Sequence, residues 1–155
     1  MNKKAQHIIY LDTEVFFAIF KKDSIDELTY THLQKLIDNE DFCIKIPKAQ
    51  YLYLHKLRTD RKESKHTLSE IALKFINYFL DKHKFVITTQ KDSDPYSDFI
   101  HSIIEDLQQG KSVTLISNNT ESNALLRKKM QGTPCLENLY IISSSEIRQW
   151  LEQQG

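Results

Sequence analysis

The chain has 155 residues, 40% of them hydrophobic, with only three Gly and three Pro, which predicts one helix-rich domain covering residues 1–155. Its 21 basic and 21 acidic side chains cancel, so any affinity for nucleic acid would need a local patch of charge. There is no apolar leader and no run approaching about 18 apolar residues, which predicts a soluble, cytoplasmic protein without a membrane partner.

The stretch IIYLDTEV, at residues 8–15, has the most informative pattern in the chain. Residues 8–11 are apolar without alternation, which predicts a strand buried on both faces in the middle of a parallel sheet. Asp12 follows directly, at the edge where open α/β sheets form their ligand sites. Thr13 is expected to cap the following helix. Asp12 has two open interpretations, a helix cap or a functional carboxylate, because capping favours the same residue types.

Strand and helix patterns alternate along the rest of the chain. Further strands are predicted at residues 42–46, 84–88, 113–117 and 139–142, and further helices at 24–40, 48–58, 67–82, 98–109, up to 130, and 143–153. Ser24 is expected to cap a helix, Gly110 to end one, and Glu146 to form a capping box. Short strands joined by helical crossovers predict a three-layer α/β/α fold with a central parallel sheet of about five strands. Cys43 and Cys135 are predicted to be unpaired thiols.

Acidic and amide side chains gather at the predicted carboxyl edge of this sheet. If the strands at 8–11 and 113–117 are neighbours, the edge collects one Asn and four carboxylates: Asp12, Asp94, Asp98, Asn119 and Glu121. Like charges a few ångströms apart repel by roughly 1–4 kcal/mol, and a hard cation would relieve this repulsion. Oxygen ligands of this kind select Mg²⁺ or Mn²⁺. The open alternative is that these carboxylates only stabilise helix starts.

Five segments together resemble the PIN-domain nucleases, in order and spacing over nearly the whole chain. The segments are IIYLDTEV, IPKAQYLYLHKLR, YSDFIHSIIEDL, VTLISNNTESNALLRKK and LYIISSSEIRQWL. The first is similar to the family's opening strand and first acid, and the third carries Asp98 in an acid position. Two positions depart from the family pattern, because Tyr53 stands where the second acid is expected and Asn119 where the fourth is.

The resemblance implies Mg²⁺- or Mn²⁺-dependent hydrolysis of RNA phosphodiester bonds, as in toxin-type and RNA-processing members of the family. Asp12 and Asp98 would be direct metal ligands, and Asn119 and Glu121 would complete the catalytic shell through water. Asp94 either substitutes for the missing acid or is a helix N-terminal charge. The expected partners are RNA, an antitoxin or another protein, and a second copy of the chain.

Basic residues around the third predicted helix are candidate phosphate contacts. Together with Thr13 and Ser117, the predicted substrate-binding set contains Arg58, Arg61, Lys62 and Lys65. The alternative for the basic stretch is a solvated charged loop, diluted by acidic neighbours.

Aromatic side chains of the same helix have two interpretations as well. Tyr51 and Tyr53 could stack unpaired bases, or they could belong to the core.

Three functional hypotheses remain open from the sequence. The first is a metal-dependent ribonuclease, and the second is a degenerate PIN-like domain that binds RNA or a protein without cleavage, which Tyr53 and Asn119 favour. The third is a phosphoryl-accepting receiver-like domain, since that fold also ends its first strand in an acid. The sequence lacks the acidic pair expected before Asp12 and a Lys after the fifth strand, which disfavours the third hypothesis.

Overall fold

The computed structural model describes residues 7–21, 24–62, 64–90, 92 and 94–154. Its strands are His7–Leu11 (β1), Phe20–Lys21 (β2), Ser24–Ile25 (β3), Phe42–Ile46 (β4), Phe85–Ile87 (β5), Val113–Ile116 (β6) and Leu139–Ile142 (β7). Its α-helices are Glu14–Ile19 (α1), Glu27–Asp38 (α2), Lys48–Thr59 (α3), His66–Asp81 (α4), Pro95–Gln108 (α5), Thr120–Lys129 (α6) and Ile147–Gln154 (α7). Short 3₁₀ turns lie at Leu136–Asn138 and Ser144–Glu146.

The central sheet has five parallel strands in the order β5-β4-β1-β6-β7. From the middle strand β1 the chain runs outward to β4 and β5, and then crosses back to place β6 on the other side of β1. The order therefore reverses between β1 and β6, and such switch points are where open α/β sheets bind ligands. Helices on both faces confirm the predicted three-layer α/β/α fold.

The side chains of β1 explain why this strand lies at the centre. Ile9 and Leu11 belong to the core on one face of the sheet, and Ile8 and Tyr10 to the core on the other; all four are fully buried. The first core is covered by α1, α2, α3, α4 and α7, and the second by α5 and α6. The predicted burial of residues 8–11 on both faces is confirmed.

The region between α1 and α2 differs from the prediction. Ser24 does not cap a helix but pairs with Lys21 in a small antiparallel β2-β3 hairpin that the apolar pattern did not reveal. The helix begins later, at Glu27, because Asp26 accepts hydrogen bonds from the Thr29 backbone N–H and hydroxyl at 3.2 and 2.8 Å. A carboxylate at this position is a strong N-cap, and it outcompetes the hydroxyl two residues earlier.

Other helix ends follow the sequence signals more closely. Gly110 has a φ of +79° and its N–H donates to Leu107 O, so it ends α5 as predicted. The capping box of Ser143 and Glu146 is present, but it caps the start of a 3₁₀ turn that precedes α7. The helix predicted to start near Asp98 starts at Pro95 instead.

Two further predictions concern cysteine pairing and membrane insertion. Cys43 and Cys135 are unpaired, as predicted. Within the described ranges, no helix has the length and apolarity that crossing a membrane requires.

Candidate functional site

A cavity of about 240 Å³ opens at the carboxyl edge of the sheet, beside the switch point between β1 and β6. Its polar lining includes Asp12, Thr13, Glu14, Gln50, Ser117, Asn119 and Asn123. Its apolar lining consists of Phe17, Tyr53, Phe99, Leu115 and Leu126. The predicted convergence of the first strand end with the loop after β6 is therefore present.

The carboxylate of Asp12 lines this cavity and is held in place by two hydrogen bonds. One carboxylate oxygen, Oδ1, accepts the Glu14 backbone N–H at 3.1 Å, and the other, Oδ2, accepts the Ser117 hydroxyl at 3.1 Å. Thr13 occupies the N-cap position, but its side chain makes no capping bond, so the prediction that Thr13 caps α1 is wrong. The carboxylate of Asp12 takes that role and still lines the cavity.

Burial raises the pKa of the Asp12 carboxyl above its usual value, and the hydrogen bonds from Glu14 and Ser117 offset only part of this effect. The charged form of Asp12 is therefore less well accommodated than it would be in water. A cation bound at the cavity would favour that charged form.

The loop after β6 supplies the opposite wall. The Ser117 hydroxyl is buried, and its oxygen also accepts the Asn119 backbone N–H at 3.3 Å. The amide oxygen of Asn119 caps α6 by accepting the Ser122 N–H at 3.0 Å. Asn119 therefore lines the cavity while its single side-chain oxygen already stabilises a helix start.

Asp98 has a different environment from Asp12. It is fully buried in the first turn of α5. Its Oδ2 accepts the Ala49 backbone N–H at 3.4 Å, and its Oδ1 accepts the Asp92 N–H at 3.2 Å. Asp98 is not among the residues that line the cavity, although its neighbour Phe99 is. Its carboxylate joins the start of α3 to the loop before α5.

Asp94 and Glu121 also lie outside the cavity lining. Asp94 is the N-cap of α5, and its Oδ2 accepts the Ser97 N–H at 2.8 Å. Glu121 is exposed in the first turn of α6. Of the five edge residues predicted from the sequence, the cavity thus brings together Asp12 and Asn119.

Several lining residues, among them Glu14, Gln50 and Phe17, were not singled out as site residues from the sequence. Glu14 places a second carboxylate beside Asp12, and Gln50 accepts the Thr13 N–H through Oε1 at 3.0 Å. Phe17 adds an aromatic wall. For Phe17 the available signal was helical spacing, because residues 13 and 17 lie one turn apart at the start of α1.

The two tyrosines of α3 have different surroundings. Tyr53 lines the cavity and is 49% exposed. Tyr51 is half-buried, packs against the first core, and donates its hydroxyl to Asn77 at 2.7 Å. The structure therefore leaves only Tyr53 of the pair with a face toward the cavity.

Among the predicted basic contacts, Lys65 touches two residues that line the cavity. Its Nζ is 3.8 Å from Glu14 Oε1 and 5.2 Å from the centre of the Phe17 ring, and both partners line the cavity. Arg58, Arg61 and Lys62 are exposed at the end of α3 and in the turn that follows. Lys65 thus brings the basic stretch to the rim of the cavity.

The oxygen atoms that line the cavity suit a hard cation, although few of them are carboxylate oxygens. Its potential ligands are the carboxylates of Asp12 and Glu14 together with amide and hydroxyl oxygens, and among the described residues no thiol or imidazole lines it. In the described part of the chain, no group of three or more His, Cys, Asp or Glu residues could hold a metal ion. Mg²⁺ is often bound by one or two carboxylates plus waters and substrate phosphate, which fits two carboxylates.

Comparison with models of known protein families gives no match to this chain, and no curated protein is significantly similar to it. The fold and the cavity define the class: a doubly wound α/β protein with an acid-lined cavity at its switch point.

Proposed function

We propose that the chain is a PIN-like, divalent-metal-dependent endoribonuclease that binds its substrate in the cavity between β1 and β6. The observation that carries this proposal is the position of Asp12, whose carboxylate is held by Ser117 and by the start of α1 on the wall of an oxygen-lined cavity. Bound Mg²⁺ or Mn²⁺ would stabilise charge on the phosphate and lower the pKa of an attacking water.

The side chains around the cavity have distinct proposed tasks. Asp12 and Glu14 would hold the ion, with Glu14 supplying the carboxylate that Tyr53 does not. Ser117 is a positioning residue, because its hydroxyl fixes Asp12 Oδ2. Lys65, at the rim, would contact a substrate phosphate, which a basic group does without reading sequence. The proposed site of action is the cytoplasm, and an antitoxin is the proposed regulator if the protein is a toxin-type member.

A second candidate function is a PIN-like module that binds RNA or a protein without cleaving. The environment of Asp98 favours it, because both carboxylate oxygens of this residue accept backbone N–H groups. A carboxylate that accepts these two hydrogen bonds links the start of α3 to the segment before α5 and is less available to a metal. Under this second hypothesis, Asp12 is chiefly a structural link between β6 and α1.

Cleavage of end-labelled single-stranded RNA in Mn²⁺, Mg²⁺ or EDTA tests both candidates. The nuclease proposal expects metal-dependent cleavage that Asp12→Asn abolishes. The matched control is Asp38→Asn, which makes the same change on an exposed carboxylate at the end of α2, close to the amino edge of the sheet. Cleavage by Asp38→Asn should equal that of the wild type.

The same preparations separate the alternatives. RNA retention on filters in EDTA, with no cleavage in either metal, would replace the nuclease proposal with the binding module. Cleavage that survives Asp12→Asn would show that this cavity is not the reaction site.

A further inference from the structure

A second cavity, of about 370 Å³, lies on the face of the sheet that α5 covers. It is close to the edge strand β5. Tyr10, Lys45 and Val86 are register partners on three adjacent strands, so their side chains project from the same face. Val86 is 46% exposed. Helix α5 therefore covers Tyr10 and leaves an open space over the edge of the sheet.

The deep part of this cavity contains a buried charged cluster. Asp106 is 3% exposed; it accepts the Tyr10 hydroxyl and lies 2.9 Å from Lys45 Nζ and 3.6 Å from Lys111 Nζ. Burial and the neighbouring Asp106 raise the pKa of the Tyr10 hydroxyl, so Tyr10 stays neutral. Two ammonium groups thus face the Asp106 carboxylate; Lys45 lines the cavity, and Lys111 is not among its lining residues.

Ser102 supplies an independent sign of a ligand. It lines the same cavity and is 5% exposed, and within the described residues its Oγ has no hydrogen-bond partner. An unpaired buried hydroxyl costs about 1–3 kcal/mol, so such groups are normally satisfied. Ser102 lies one helical turn before Asp106 on α5, which places its hydroxyl beside the charged cluster.

The available donors define what could bind. Lys45 Nζ has three N–H donors and gives two of them to the oxygens of Asp106. Thr88 Oγ1 accepts the Lys48 N–H at 2.9 Å, which leaves its own hydrogen to donate. Glu105 also lines the cavity and is exposed, whereas the buried Asp106 is already paired with two ammonium groups.

We propose that this second cavity binds a small oxyanion, a carboxylate or phosphate group, through Lys45 Nζ and the hydroxyls of Ser102 and Thr88. Val86, whose side chain projects from this face of the sheet, would pack against a short aliphatic body attached to that group. A volume of about 370 Å³ is at the small end of ligand pockets, which limits the ligand to a compact organic acid or phosphoester. The site is separate from the cavity at Asp12 and does not depend on its chemistry.

Thermal unfolding in acetate or inorganic phosphate, compared with chloride at equal ionic strength, tests the proposal. An anion at ten times its Kd should raise Tm by about 3–6 °C over chloride in a chain of this size. A response to acetate alone or phosphate alone identifies the class of oxyanion, and a response to neither overturns the proposal. Amide shifts in NMR spectra should change at Thr88 and Thr89.

Two alanine variants locate the effect. Ser102→Ala should leave the stability in chloride unchanged or higher, because it removes an unpaired polar group, and should lose most of the oxyanion response. Ser69→Ala is the matched control, since Ser69 in α4 is also buried, with an Oγ that is unpartnered within the described residues, but does not line the cavity. It should keep the response.

A third variant tests whether the anion binds in this second cavity or in the cavity at Asp12. Lys65→Gln alters the rim of the cavity at Asp12 and should also keep the oxyanion response. An equal response in wild type and Ser102→Ala, or a response lost with Lys65→Gln, would show that the anion binds elsewhere and would overturn the proposal.

Discussion

Tyr53 offers the sharpest test of the metal proposal, because it lines the cavity with Asp12 and Glu14 at a position where the family resemblance expects an acid. A tyrosine hydroxyl is neutral at neutral pH and is a poor ligand for a hard cation. We expect Tyr53→Glu to add a third carboxylate to the cavity. Tyr53→Gln is the matched control, because Gln has nearly the same shape as Glu and carries no charge.

The expected magnitudes follow from the exposure of Tyr53. The ring is 49% exposed, so its loss costs about half of the roughly 1.5–3 kcal/mol that full burial contributes, or about 1 kcal/mol in both variants. That change lowers Tm by about 2–4 °C in a domain of this size. In EDTA the Glu variant should lose up to about 1 kcal/mol more through repulsion with Asp12 and Glu14.

Calorimetry with Mn²⁺ provides the assay. One added carboxylate ligand that contributes at least about 1.4 kcal/mol should make Mn²⁺ bind about tenfold more tightly to Tyr53→Glu than to Tyr53→Gln. Mn²⁺ should also reverse the additional loss of Tm in the Glu variant. Equal Mn²⁺ affinity in two folded variants would refute the reasoning, because it would mean that position 53 does not contribute to an ion site.

Three further predictions address other residues. Asp12→Asn should be more stable than wild type in urea near about pH 7 but not near about pH 3. The reason is that burial raises the folded-state pKa of Asp12, so the wild type loses stability as the pH rises from about 4 through that pKa. Asp98→Asn should lower the free energy of unfolding by about 1–3 kcal/mol, since one of two backbone N–H groups loses its acceptor; an unchanged urea midpoint would contradict this. Lys65→Gln should reduce the slope of log K against log salt for single-stranded RNA by about 0.7. The exposed control Arg148→Gln on α7 should leave that slope unchanged.

Local patterns in the sequence were sufficient for the main elements of the fold. The unbroken apolar run at residues 8–11 predicted a central strand, and two strands, Phe42–Ile46 and Leu139–Ile142, have the predicted bounds. These patterns succeed because strand and helix periodicity report burial residue by residue. The placement of Asp12 at the carboxyl edge followed from the same information, since it is the first polar residue after a buried strand.

Short elements and capping choices were less accessible. The β2-β3 hairpin has two residues in each strand, which is too short for a period to be visible. Ser24 and Asp26 are both good capping residues, and only the path of the chain after α1 decided between them.

The composition of the two cavities was decided by tertiary structure alone. Whether Asp98 faces the cavity or the start of α3 depends on how α5 docks against α3, and the structure commits its oxygens to Ala49 and Asp92. The second cavity requires the register that aligns Lys45 with Tyr10 and the incomplete cover of α5 over β5. Such contacts join residues distant in sequence, and their geometry depends on packing between elements that no single segment encodes.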